Sequence, residues 1–279
     1  MSTLIPPELS IRSEFLPSLD RIKRIAANKT INEPPHSLSK TLIIAINFQD
    51  GVLILSDKRV VDWGFQLASD KCQKISMVSP FSIMGASGAA GMCNFFIESM
   101  KKMNATFLRQ YENWLSPEGQ ARYLKNFIEA ITEEIDIFHY AIPLLVAYDR
   151  VHGRGRIFYF EPESSLAAYT MEEEEFCGIG CGYQQIKGFL LANYKKAYPL
   201  TINSALEIGI KAYALAGKLS IGVTDLRIEL PHIAIVTEKQ ARFIKRKEMI
   251  PYINKAFRII LDIGAGEPEN PFDFNEVGS

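Results

Sequence analysis

The tightest constraint lies between Thr41 and Arg59, where two β-branched apolar runs, TLIIAINF and VLILSDKR, are separated only by Gln-Asp-Gly. Runs of this length and composition read as strands, and an Asp-Gly between them favours a hairpin. A second pair, KISMVS and FSIMGAS, flanks Pro80. From Gly88 the period lengthens: Ala90, Phe95, Ile97, Met100, Met103 and Phe107 predict a long helix, and Tyr123, Phe127, Ile131, Ile135 and Phe138 a second. Strands resume with IPLLVAYD and RIFYFEP, joined by a turn from His152 to Gly155. After an acidic run, Glu172 to Glu175, read as a solvated turn, comes FCGIGCG. Helical patterns then cover Gln184 to Tyr194 and Ile202 to Ala216, and the pair HIAIVT and ARFIKR closes the core. Helices arriving in pairs between blocks of hairpin strands predict an α+β chain, with antiparallel sheets inside and helices outside, and argue against a βαβ nucleotide fold.

The two ends differ from this middle. Pro6, Pro7, Pro17, Pro34 and Pro35 crowd the first 40 residues, interrupted only by a helix-like stretch around Leu19 to Asn28, and the tail from Gly264 is acidic and rich in Pro and Gly. An extension, one domain over residues 41–248, and a helix-like segment with a disordered tail over 249–279 are therefore expected. With 31 Lys and Arg against 32 Asp and Glu and an apolar fraction of 47 %, neither a polycationic nucleic-acid binder nor a disordered chain fits. No signal core or run long enough to span a bilayer stands out, which points to a cytoplasmic protein without membrane contact.

Most chemical motifs fail on spacing. Cys177 and Cys181 are four apart with no second Cys/His pair, so no metal is expected, and Cys72 and Cys93 are scattered, as suits reduced thiols. His36, His139, His152 and His232 stand alone, and GIGCG lacks the GxGxxG spacing of a dinucleotide site, so no cofactor is expected either.

Specificity comes instead from the order of several pieces. TLIIAINFQDGVLILSDKR, then Lys74-Ile75, then GASGAAG at Gly85 to Gly91, then AIPLLVAYDRVHGRGRIFYFEP and GIGCG, together resemble a 20S proteasome β-type subunit of the style found in bacteria. The resemblance covers about Thr41 to Lys247. It implies a four-layer αββα sandwich of the N-terminal-nucleophile hydrolase class, with residues 1–40 in the place of a propeptide. Thr41 would then be the nucleophile and its freed α-amine the base, since an α-amino pKa of about 7.7–8.0 lies near working pH. Lys74 would favour the ionised hydroxyl, Asp57 would orient Lys74, the Gly88 N–H would face the oxyanion, and Arg59 would support the loop. Cys181 and Ser220 fall at auxiliary positions. Val60, Cys72, Ala86 and Ala90 fall where the family lines its specificity pocket and imply a roomy apolar site.

Three departures bear on activity. Lys40 stands where self-processing members carry Gly, Cys181 replaces a serine, and AGKLSIGVTD offers no acid before Asp225. The resemblance thus implies a threonine endopeptidase acting on unfolded polypeptides inside stacked seven-membered rings of β-type and α-type subunits. A non-catalytic β-type ring subunit and a stand-alone amidohydrolase of the same nucleophile class are the alternatives. An α-type subunit fits less well, because the Pro-rich TINEPPHSLSK separates the N-terminal helix-like stretch from the first strand.

Overall fold

A computed structural model describes residues 41–61, 67–69, 71–132, 141–161, 169–173 and 175–263. The expected extension, its helix-like stretch and the acidic tail lie outside the described residues. Strand β1 (Ile43–Phe48) turns through Gln49 and Asp50 into β2 (Gly51–Ser56), in antiparallel register from Ile43 opposite Ser56 to Phe48 opposite Gly51. The hairpin is as expected, but Gly51 has a different job. It already belongs to β2, and a Cβ there would lie 2.1 Å from the Val236 carbonyl oxygen, so close approach of the next strand requires glycine.

Short strands β3 (Val60–Val61) and β4 (Leu67–Ser69) pair with each other. Strands β5 (Ile75–Ser79) and β6 (Ser82–Gly88) lead into helices α1 (Ala90–Tyr111) and α2 (Pro117–Thr132). Strands β7 (Ala141–Asp149), β8 (Arg154–Glu161), β9 (Tyr169–Glu173) and β10 (Phe176–Ile179) follow. Helices α3 (Cys181–Ala197) and α4 (Ile202–Leu219), strands β11 (His232–Thr237) and β12 (Ala241–Phe243), and helix α5 (Arg246–Ile263) complete the order. Glu172 and Glu173, read as part of a turn, pair with β8 as the end of β9.

Two antiparallel five-stranded sheets result, in the orders β10-β1-β2-β11-β12 and β5-β6-β7-β8-β9. The alternation of side chains sorts β1 and β2 between two cores. Ile44, Ile46, Leu53 and Leu55 face α3, α4 and α5, while Ile43, Ala45, Val52 and Ile54 face Ile83, Leu144, Val146 and Ile157 of the other sheet. That sheet covers its far side with Phe96, Met100, Leu124 and Phe127 of α1 and α2. The layers are therefore α, β, β and α. Burial on both faces explains why the first strands read as unbroken apolar runs rather than alternating ones. Helix α5 belongs to the body: Met249, Ile253, Ala256 and Phe257, at helical spacing, sit in the outer core, so the packed chain continues beyond 248. Among the described residues no helix is long and apolar enough to cross a membrane.

Candidate active site

Thr41 stands two residues before β1 and is 6 % exposed. Its Oγ1 accepts a hydrogen bond of 3.0 Å from Lys74 Nζ, which also donates to Asp57 Oδ1 at 2.8 Å. Asp57 ends the hairpin one residue past β2, Lys74 comes one residue before β5, and the packing of one sheet on the other brings these ends together. The carboxylate of Asp57 is fully buried and further held by the Leu42 N–H at 2.9 Å on Oδ1 and the Arg59 N–H at 2.9 Å on Oδ2. Burial pushes the Asp57 carboxyl up from the usual carboxylate range, and the Lys74 ammonium and the two N–H donors oppose that push. A buried carboxylate with this many donors is the arrangement that lets an ion pair persist away from water.

On the other side Thr41 meets the turn between β10 and α3. Its carbonyl oxygen accepts from the Gly182 N–H at 3.2 Å. Gly180 has φ of +90°, and a Cβ there would lie 2.2 Å from the Thr41 oxygen, so this turn needs glycine both for its backbone and for its space. Cys181, exposed, places Sγ 3.9 Å from the Thr41 oxygen and 3.6 Å from Ser220 Oγ. Ser220 caps the end of α4, and Arg59 reaches from the hairpin end to the Ile221 carbonyl at 3.1 Å, tying this loop to Asp57's neighbourhood. Gly217, one turn before Ser220, leaves no space for a carboxylate: a Cβ would meet the Thr224 oxygen at 2.9 Å and Asp225 Cα at 3.0 Å. Asp225 itself is engaged by Arg227, which holds its carboxyl below the usual range against the effect of burial.

The remaining candidates are placed without a hydrogen bond to Thr41. Gly88 closes β6 with φ of +135° and precedes α1 by two residues. Of the pocket positions, Ala86 is buried in β6, Val60 and Cys72 are half-buried, and Ala90 opens α1 exposed. Burial pushes the Cys93 thiol, one helical turn beyond Ala90, up to about 12, so it stays protonated. In the sequence, the grip of Gly180 and Gly182 on the Thr41 carbonyl is signalled by the three glycines of GIGCG.

A threonine stands at the head of a central strand of this sandwich, and the sequence has relatives among known proteins. The family model for proteasome subunits matches residues 39–226, and the chain belongs to that family. It is similar to the proteasome subunit beta of Frankia casuarinae, 26 % identical over 216 residues covering 76 % of each chain. The proteasome subunit beta of Gordonia bronchialis is 28 % identical over 263 residues, covering 89 % of this chain and 83 % of that one. That of Frankia alni is 27 % identical over 220 residues, with 76 % of each chain covered.

Proposed function

We propose that the chain is a β-type proteasome subunit that acts as a threonine endopeptidase on unfolded polypeptides once residues 1–40 are removed. The observation that carries this reading is the unbroken chain from Thr41 Oγ1 through Lys74 Nζ to Asp57, with distances of 3.0 and 2.8 Å. After cleavage the free α-amine of Thr41 takes the hydroxyl proton while Oγ1 attacks the scissile carbonyl carbon. The Lys74 ammonium stabilises charge developing on Oγ1, and the Gly88 N–H receives the oxyanion. The protonated amine gives its proton to the leaving peptide amine, an ester on Thr41 remains, and water, deprotonated by the same amine, hydrolyses it. The small, uncharged Val60, Cys72, Ala86 and Ala90 fit a preference for large apolar side chains before the scissile bond. A peptide library showing preference for acidic or basic residues there would contradict it.

Similarity to proteasome subunits supports assembly with homologous subunits. The reading places β-type and α-type partners in stacked seven-membered rings in the cytoplasm, with residues 41–248 as the family domain and 1–40 as the propeptide. The deciding experiment is intact mass of the subunit in assembled particles. A chain beginning at Thr41 is expected, and Thr41→Ala should abolish cleavage of a fluorogenic peptide. A chain still carrying residues before Thr41 would leave no α-amine there and overturn the catalytic reading.

The second reading, a non-catalytic ring subunit, is favoured by Lys40 before the nucleophile and by the crowding at Gly217 that shuts out a carboxylate beside Ser220. A particle of ring mass with an unprocessed chain is its signature, whereas an isolated active subunit would indicate the stand-alone amidohydrolase.

A further inference from the structure

Asp57 lies in a three-residue segment that is held from several sides. Its own N–H donates to the Leu42 carbonyl at 3.0 Å, and the carbonyl of Lys58 accepts at 3.0 Å from the N–H of Cys72, two residues before Lys74. Arg59 Nη1 donates to the Ile221 carbonyl at 3.1 Å, and Lys58 Nζ to Glu229 Oε1 at 2.7 Å. Both of these side chains reach the same connector, residues 220–231, which joins α4 to β11.

Glu229 is the best-held residue of that connector. Its N–H and that of Ile228 donate to the Asp225 carbonyl at 3.2 and 2.9 Å, closing a turn between the buried Leu226 and Leu230. Oε1 also accepts from the Leu230 N–H at 3.2 Å, so the backbone aims the carboxylate at Lys58. From α4, the Tyr213 hydroxyl donates to the Glu229 carbonyl at 3.2 Å. Tyr213 is fully buried. Burial, joined by the charges of Asp57, Glu229 and Asp225, pushes its phenol well above the usual range, so the hydroxyl remains a donor. An ion pair as open as Lys58 and Glu229, with side chains 16 % and 31 % exposed, adds little to folding. Its consequence is geometric, because it fixes the residue that follows Asp57.

We propose that Glu229 is a positioning residue for the site. Through Lys58 it sets the placement of the Asp57 carboxylate, and through Asp57 that of Lys74 and the Thr41 hydroxyl, with Tyr213 as its anchor. The effect on turnover rests on the peptidase reading, whereas the placement of Asp57 does not.

Glu229→Met and Lys58→Met remove the same bond from its two ends, and Lys58→Arg keeps a donor opposite the carboxylate. In assembled particles both Met variants should lower kcat about tenfold and leave KM within about twofold, since a misplaced hydroxyl loses turnover and not substrate binding. Lys58→Arg should stay within about twofold of wild type in both constants. The Leu42 and Arg59 amides donate to the Asp57 carboxylate and so report its placement directly. In the full-length Met variants these two amides should exchange with deuterium at least about threefold faster than in wild type, with β6 and β7 unchanged. Tyr213→Phe, which removes only the hydroxyl, should raise the same two. If wild-type particles lack turnover the peptidase reading falls, and exchange at residues 42 and 59 still decides the proposal. Equal exchange there in wild type and variants would overturn it. So would a rise spread evenly over both sheets, which marks a merely structural role, or Lys58→Arg behaving like Lys58→Met.

Discussion

Thr41 is held on two sides that differ in kind. Towards the hairpin end, its hydroxyl meets Lys74, which meets a fully buried Asp57 that also satisfies two backbone N–H groups, all at 2.8–3.0 Å. Towards the β10–α3 turn, its carbonyl rests on a backbone N–H at 3.2 Å and on an exposed thiol at 3.9 Å, backed by Ser220 at 3.6 Å. On the first side charge is buried, and removing any member strands another. On the second, side chains contribute weak contacts while glycines set the geometry. Side chains build the first half of the site, and their absence builds the second.

The largest effect should come from breaking the buried half. Asp57→Asn leaves the Lys74 ammonium buried without its counter-charge and should cost about 3–5 kcal/mol in denaturant unfolding, with the proposed peptidase activity lost alongside. A loss under about 1 kcal/mol would mean that the pair is hydrated and the contrast false. Next comes Gly180→Ala, which forces a side chain onto the Thr41 carbonyl and into a left-handed backbone. A loss of about 1–3 kcal/mol in stability is expected, with the proposed peptide turnover reduced about a hundredfold through misplacement of the hydroxyl.

The third test uses pH. His232 lies opposite Ser56 at the end of β2, and burial holds its imidazole down to about 4 from an ordinary 6.5. The unfolded chain therefore binds the extra proton between those values. This contribution to stability is fully present above pH 6.5 and is lost as pH falls towards 4. About 1–2 kcal/mol should disappear across that window, given the residue's partial exposure. Melting temperatures of His232→Gln, measured at both limits, should show a correspondingly smaller decline. The smallest effect belongs to Cys181→Ser, which replaces a weak thiol contact by a stronger hydroxyl donor. It should shift stability by less than about 1 kcal/mol and leave any activity within about threefold. A large change would show that the second half also depends on its side chains.

Much of the architecture was legible because local pattern and final environment agree. The hairpin, the long helix after Gly88 and the pair of helices after GIGCG follow from period and turn chemistry, while Thr41, Asp57 and Lys74, which meet in the structure, were singled out only by the family resemblance. What escaped is non-local. Gly51 looked like a turn glycine, yet β11, carrying Val236, sets its requirement. ARFIKR reads as one strand, but β12 stops at Phe243 and Arg246 already opens α5, whose internal Pro251 obscures a helix held by Met249, Ile253 and Phe257. The missing carboxylate near Ser220 was visible as an absence; that Gly217 has no space for one was not.

Cys181 follows Thr41 by 140 residues, and the glycines beside it close on the same carbonyl. During synthesis the threonine leaves the ribosome long before its clasp, while Lys74 and Asp57 are already available. The geometry around Thr41 is therefore completed late, by the part of the chain that also supplies α3 and the strand beside β1. A truncated nascent chain can carry every charged member of the site and still not hold the threonine in place. Order at Thr41 therefore depends on completeness of the chain, through a turn whose geometry is set by its glycines.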